Sequence, residues 1–590
     1  MNRQTWLRLV TLVSILTLLV SACSTPAPTA APTVAPTEAT EDEAEVETPA
    51  ATEEDEETEE PAETEEPAAP GAPVPTIEVL SETQAADPVE FEMTRLLVEN
   101  MKKLGIDAVH NPMPWLQQAD LVWFERENWQ MTSWRMVGRP ERMDPDEFVV
   151  NLFHSSTAES GYNFVGYINE AYDELAMAQR AITDPEARRE VIYDAQQMIA
   201  EDVPYVYVAH PKLPYAFRSD IWDASTIVDA QGIGIINYWT WTEATPLTDQ
   251  TDLIINTSED VQAINPFYIS GSADSRVTEI LWDRLMRVGA DGLTVPWAAE
   301  SVVWEDELNV VVTLREGMTW HDGEAVDTDD VIFSFETPAS GEAPMYAPFV
   351  SKIATIEKID DLSVKFTLAE PWVAFETASL AKINLVPEHV WAPIVEELLG
   401  TDDNLESYQE ETPIGSGPYA FVAWKASEEV VLEAYADYFS PPQASRWIRR
   451  IIPNVESALG QLKTGEINFL ADWTGDATIL ADAAEADPNI EMVATTELGF
   501  RFYAMNLRLE PFDDVAFRKA IAHTVPVDAI IANIFKGYAE PADSYVSAAI
   551  DYWHKPDLPK YPYDIEGARA ILEDAGYSWD ADGMLLMPAE

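Results

Sequence analysis

Seven histidines, at positions 110, 154, 210, 321, 389, 523 and 554, are the first place to look for metal or acid–base chemistry in this 590-residue chain. None forms an H-x-x-x-H pair or another ligand spacing, so they encode no zinc-type site. His321 stands beside Asp322 and imitates half of a nucleophilic triad, yet His321-Asp322-Gly323 is also turn chemistry. Gly415-Ser416-Gly417 lacks the spacing of a nucleophile elbow and runs straight into Pro418. Gly232-Ile233-Gly234 has neither a third glycine nor a helix start behind it, and there is no P-loop. Among 105 Asp+Glu, an acid pair for glycoside hydrolysis is available in principle, but nothing singles one out. The single cysteine, Cys23, excludes a disulfide framework and any Cys-based metal site. Neither a catalytic centre nor a cofactor is encoded, which leaves binding.

Composition narrows what is bound. Only 35 Lys+Arg oppose the acids, giving a net charge of -70, so nucleic acid is excluded as a partner. At 47% hydrophobic the chain buries a sizeable core, and its length implies two or more lobes. Arg3 and Arg8 flank the start of an apolar run, Leu9 to Val20, that ends in Val20-Ser21-Ala22-Cys23. That run has signal-peptide form and is too short to span a bilayer as a mature helix. Small residues before the only cysteine have the form of a lipobox, so residues 1–23 read as a lipoprotein signal with Cys23 acylated. Residues 24–73 hold sixteen Asp or Glu and no Lys or Arg, among Pro, Thr and Ala. Such a segment has nothing to bury and reads as a solvated, disordered tether, with a contour of roughly 165 Å.

The elements that must position a binding site begin near Pro75. Ile77, Val79 and Leu80 form a strand pattern, and Phe91 to Leu104 a helix closed by Gly105. A Trp-rich region (115, 123, 129, 134) precedes a long helical segment, 170–201, interrupted at Asp184-Pro185, and then the strand Pro204 to Val208. Asp252 to Asn256 reads as a strand and Val277 to Met286 as a helix. The stretch VVVTLREGMTWHDGEAVDTDDVIFSF, residues 310–335, reads as a buried strand, two turns, and a helix whose start is capped and acidic at Asp327 to Asp330.

The phrases LREG, WHDG and DTDDVIFSF closely resemble the signature of the extracellular solute-binding proteins, family 5, the dipeptide/oligopeptide/nickel class that serves ABC importers. PIGSGPY at 413–419, LKTGEIN at 462–468, and FYAMNL…PFDDVAFRKAIAHTV…GYAEPA continue that resemblance in family order. NFVGY, DPEARREVIYDAQQMIAED and PYVYV resemble its C-terminal third, but here they come first. The sequence therefore reads as a circular permutation: 74–245 the family's C-terminal portion, 246–497 lobe one, and 498–590 the first part of lobe two. The cut falls between strands near Met584–Met587 and Thr76–Leu80, expected to pair as a hairpin; the old termini are joined through Thr242 to Thr251.

The resemblance implies an α/β, two-lobed periplasmic-binding-protein-like fold of the large class II type, closing on ligand about a hinge. Lobe one would take 246–497 with 209–245, and lobe two 498–590 with 74–208. It implies a monomeric, membrane-anchored receptor outside the cytoplasm, delivering a peptide-like or other polar solute to ABC permease subunits. A secreted hydrolase of peptides or glycans, or a surface sensor or adhesion module, are the alternatives on the same fold. Ser270-Gly271-Ser272, Asp472-Trp473 and Trp134 match family positions that line the cleft. In peptide binders an aspartate about three residues after that tryptophan pairs with the ligand's amine. Here Trp134-Arg135-Met136-Val137-Gly138-Arg139 lacks it, and Asp144 substitutes only if the loop folds back. Arg135 and Arg139 point instead to a carboxylate or a hydroxyl-rich solute.

Overall fold

In the computed structural model, β4 (Tyr205–Arg218) is a 14-residue strand through which all the rest is connected. The residues described are 71–269, 271–398 and 405–589; the signal sequence, Cys23 and nearly all of the tether lie outside them. Twelve strands form one sheet: β1 (Ile77–Glu82), β2 (Ala108–Met113), β3 (Met131–Met136), β4, β5 (Asp252–Thr257), β6 (Tyr419–Lys425), β7 (Glu429–Ala434), β8 (Arg446–Ile451), β9 (Phe469–Leu470), β10 (Ile490–Thr496), β11 (Phe500–Met505) and β12 (Ala539–Pro541). Their order is β6-β7-β8-β5-β9-β4-β11-β3-β1-β2, with β10 and β12 also on β4. The first half of β4, Tyr205 to Ala209, pairs with β11. Its second half, Lys212 to Arg218, pairs with β10.

The cores divide at that strand. On the lobe-one side, Leu253, Ile255, Trp447 and Phe469 pack on one face and Ile254, Ile448 and Leu470 on the other. On the lobe-two side, Leu80, Trp134, Phe500 and Phe502 pack on one face and Ile77, Val79, Met131 and Tyr503 on the other. Burial on both faces explains the near-continuous apolar strands. Among the described residues the chain crosses between lobes twice, along β4 and at Glu497–Gly499, where Glu497 N–H donates to Pro211 O at 2.8 Å. The lobes also touch directly: Trp372 Nε1 donates to Asp146 Oδ2 at 3.2 Å, and Val373 N–H to Arg180 O at 2.9 Å.

Local sequence accounts for most elements. Asp327 caps the helix Thr328–Ala339 in a reciprocal capping box with Asp330. Asp184 caps the helix Pro185–Asp202 and marks the break after Glu170–Ala178. The strand at Asn309–Leu314 buries only alternate residues, Val310, Val312 and Leu314, so it is half-buried rather than enclosed. It lies in a separate four-stranded sheet with one face toward solvent. The helix expected at Val277–Met286 is instead α2 (Ser272–Leu281), because Trp282 turns out of it to donate to Ile414 O at 3.0 Å.

The hairpin expected between Met584–Met587 and Thr76–Leu80 does not form, since both edges of β1 are occupied by β2 and β3. Residues 72–74 pair there instead, with Val74 N–H donating to Leu585 O at 3.0 Å and Met587 N–H to Ala72 O at 2.8 Å. Leu585-Leu586 also pairs with Ser578-Trp579. The link after Glu243 is tied to lobe one by Leu247 N–H donating to Ile221 O at 2.7 Å.

Candidate functional site

Two clusters of charged side chains, here called walls, lie on the strands and helices to either side of β4. On lobe one, the C-terminal ends of β5 and β9 bring Thr257, Ser258 and Asp472 together. Ser258 N–H donates to Asp472 Oδ2 at 2.9 Å, the Thr257 and Ser258 hydroxyls donate to it at 3.2 Å, and Arg276 Nη1 lies 3.5 Å from Oδ1. Burial pushes the Asp472 carboxyl up, but Arg276, the Ser258 N–H and Arg449 outweigh it, leaving it below the usual range. Arg276 projects from α2, whose N-cap is Gly271 and which has no side-chain cap. Ser272 Oγ, exposed, reaches Glu259 Oε2 at 3.5 Å.

On lobe two, the wall is built from Arg501 on β11, Arg135 on β3, Glu82 at the end of β1, and Asp87 and Glu90 around the start of helix α1 (Pro88–Lys103). Register places Arg501 opposite Arg135. Arg501 Nη1 is 2.6 Å from Asp87 Oδ2 and 3.8 Å from Glu90 Oε2, and Arg135 Nη1 is 3.4 Å from Asp87. Burial drives the Glu90 carboxyl up to about 7, against the N–H of Glu82 and Arg501. For Asp87 burial is outweighed by Arg501 and the Glu90 N–H that it caps, so it lies low. Glu82, Asp87 and Glu90 bring ligand atoms within 4.8 Å of one another, the one such group among the described residues. Two guanidiniums already supply the counter-charge that a cation would bring.

Tyr215 on β4 lies beside the lobe-one wall, and its hydroxyl donates to Ile233 O at 3.0 Å. Burial raises its pKa; Arg276 and Asp472 from lobe one and Glu497 from the crossing segment act on it as well. Glu497 accepts from Gly138 N–H at 3.3 Å and feels Arg501 and Arg135.

The residues expected at the site divide. Asp472, Gly271 and Ser272 belong to the lobe-one wall and Arg135 to the lobe-two wall, while Ser270 lies outside the described residues. Trp473 turns away from Asp472 into the core on the opposite sheet face, its indole packed under Gly475 and donating to Asp476 O at 3.2 Å. Trp134 is taken into the lobe-two core, its ring 5.6 Å from Trp123 and 6.1 Å from Phe164. Arg139 is exposed, with no ion pair among the described residues. Asp144 does not replace the missing acid: it is held by both Nη atoms of the buried Arg188 at 2.6 Å. Arg276, Arg449 and Arg501 were not singled out by the sequence. Parity was the available signal, since Arg449 shares a strand face with Trp447, and Arg501 with Tyr503.

His321 is a structural turn residue. Gly415 N–H donates to its Nδ1 at 3.1 Å and its Nε2–H donates to Gly417 O at 3.0 Å, which fixes the neutral tautomer. Burial lowers its pKa to about 4. A Cβ on Gly415 would lie 1.8 Å from Leu281 O, so the Gly-Ser-Gly turn serves close packing. A cavity of about 1070 Å3 lies within lobe two, lined by Val203, Tyr207, Val525, Asp543 and His554 among others. No expected binding residue lines it, and His554 and Asp543 are paired at 2.8 Å. No helix of the described residues is long and apolar enough to cross a membrane.

Residues 294–589, just over half of the chain, match the family described as "Bacterial extracellular solute-binding proteins, family 5 Middle". The oligopeptide-binding protein AppA of Bacillus subtilis is 27% identical over 345 residues, 57% of this chain and 61% of that protein. The glutathione-binding protein GsiB of Pectobacterium atrosepticum is 28% identical over 57% of this chain and 63% of its own length. The chain thus spans under two thirds of the length of these relatives. Among solved structures, the substrate-binding protein CtaP of Listeria monocytogenes aligns with a TM-score of 0.45 at 25% identity, covering 56% of this chain and 66% of that one. Members of this family are binding proteins rather than enzymes, and this chain belongs to the bacterial extracellular solute-binding proteins, family 5.

Proposed function

We propose that the protein captures a polar, peptide-like solute between its two lobes and delivers it to an ABC importer without altering it. The observation that carries this reading is the pair of charged walls on either side of one shared strand. A strand common to both lobes acts as a hinge when few residues absorb the motion, and here the crossing is confined to His210–Lys212 and Glu497–Gly499. Charged groups at the ends of parallel strands and at a helix N-terminus are suited to hold the polar ends of a small ligand. The names of the relatives, an oligopeptide binder and a glutathione binder, agree with that class.

In the same reading the protein acts as a monomer anchored through acylated Cys23, with the acidic tether holding the body off the membrane. The permuted order is part of the proposal, and its support is the antiparallel contact of residues 72–74 with 585–587, at the cut. A tether leaving there would anchor lobe two and leave lobe one to move. Native mass spectrometry of the purified full chain tests the receptor reading: a retained small solute, released unchanged on denaturation, is expected. Catalytic conversion of that solute would contradict it.

A further inference from the structure

Arg449 is the charged residue of lobe one that the fold leaves least satisfied. It lies on β8, opposite Ile255 of β5 and Val430 of β7, two apolar neighbours in the core of that face. Only 2% of its surface is exposed. Its guanidinium makes one hydrogen bond among the described residues, Nη2 to Thr257 Oγ1 at 2.7 Å, and Nε has no partner. No described carboxylate forms an ion pair with it within 4.0 Å. Burial, reinforced by Arg276, lowers its pKa to about 9. A buried guanidinium without a counter-ion is costly, and structural proteins supply one or replace the residue.

The surroundings show where a counter-ion would enter. Arg276 stands over the same corner, partly exposed, and its one ion pair among the described residues is the long 3.5 Å contact to Asp472. The N-terminus of α2, ten residues long and without a side-chain cap, ends beside it. Three carboxylates also face this corner. Asp472 is occupied by the Ser258 N–H and the Thr257 and Ser258 hydroxyls, and Asp274 accepts from Gln262 N–H at 2.8 Å. Glu259 is exposed, with Ser272 Oγ at 3.5 Å. None of them turns an oxygen to Arg449 at bonding distance.

We propose that lobe one binds a carboxylate of the solute between Arg276 and Arg449, so that the protein selects anionic solutes. The proposal rests on the receptor reading above and deepens it. An acid-bearing ligand would displace the weak Arg276–Asp472 contact, complete the coordination of Arg449, and gain from the positive end of the α2 dipole.

Calorimetric titration of the full chain with Ala-Glu-Ala, Ala-Gln-Ala and Ala-Lys-Ala, each amidated at the C-terminus so that the side chain is the one carboxylate offered, and with succinate and inorganic phosphate, tests it. The glutamate peptide is expected to bind at least about tenfold more tightly than the glutamine peptide, the smallest effect of one charge-assisted hydrogen bond. Arg449→Met and Arg276→Gln should each abolish that preference. Arg449→Lys, which keeps the charge without the fork, should restore part of it. Arg276 is partly exposed, so Arg276→Gln remains informative if Arg449→Met fails to fold. Equal binding of the two peptides, retention of the preference in both variants, or preference for the lysine peptide drawn by Glu259 would each overturn the proposal. If no peptide binds, succinate decides: Arg449-dependent binding supports the anion site while the peptide-like class fails, and no binding overturns the site. Phosphate binding as tight as succinate would mark a general oxyanion site and overturn the carboxylate assignment.

Discussion

The two walls of the cleft use arginine in opposite ways. On lobe two, Arg501 is enclosed by Asp87 and Glu90, and Arg135 adds a second cation to the same carboxylates. Charge, hydrogen bonds and burial are balanced inside the protein. On lobe one, Arg449 is more deeply buried than Arg501 but has a single hydroxyl acceptor. A guanidinium with its counter-ions built in holds a fold together; one without them is receptive. The asymmetry is what the proposed anion site on lobe one rests on.

Removing one partner from each wall should have unlike consequences. Arg501→Met leaves buried Asp87 with only the long contact to Arg135 and buried Glu90 with no guanidinium, and should cost about 3–5 kcal/mol in urea denaturation. Arg449→Met removes an unpaired buried cation and should leave stability unchanged or raise it, although it alters the more deeply buried side chain. Equal losses from both would erase the distinction between the walls.

A second consequence is a pH dependence carried by Glu90 on lobe two. The Glu90 pKa is raised from its ordinary value of about 4.5 to about 7, so the folded state binds the proton more tightly than the unfolded chain. The resulting stability is fully present below pH 4.5 and is lost as pH rises through 7, in total about 3 kcal/mol. Glu90→Gln, which keeps a neutral side chain, should flatten the denaturation profile across that window. A profile that keeps its slope in the variant would assign the titration elsewhere.

The smallest effect is expected at Arg139, exposed and without an ion pair among the described residues. Arg139→Ala should change stability by less than about 0.5 kcal/mol. Arg135→Ala, which loses a long and half-exposed contact to Asp87, should cost about 0.2–1 kcal/mol. If Arg139→Ala weakens solute binding more than Arg276→Gln, the polar contact belongs to lobe two after all.

Much of the fold was legible in the sequence because local rules and global packing agree there. Asp327 and Asp184 announce helices that the structure caps as expected, and Asp322-Gly323 and Gly415-Ser416-Gly417 announce the turns that fix His321. The site was less legible, because its decisive residues lie on strands whose pattern conceals them. Arg446-Trp447-Ile448-Arg449-Arg450 places three arginines on one strand, and only its register against β5 and β7 shows which one is buried. Trp473 misled for the opposite reason: it adjoins Asp472, but the chain has left β9 (Phe469–Leu470) by then, and the irregular backbone turns the indole back into the core beside Leu470. The carboxylates around Arg501 come together only when the loop from Thr83 to Ala86 returns the chain to α1, a contact that no local spacing encodes.

Closure of lobe one onto lobe two is the step on which the whole account depends. Spin labels at Ile479 on lobe one and Ile168 on lobe two, both exposed, report the separation of the lobes by pulsed electron paramagnetic resonance. The account predicts a broad distance distribution without solute that narrows and changes its mean on saturation with the solute recovered by native mass spectrometry. Identical distributions with and without saturating solute would contradict it.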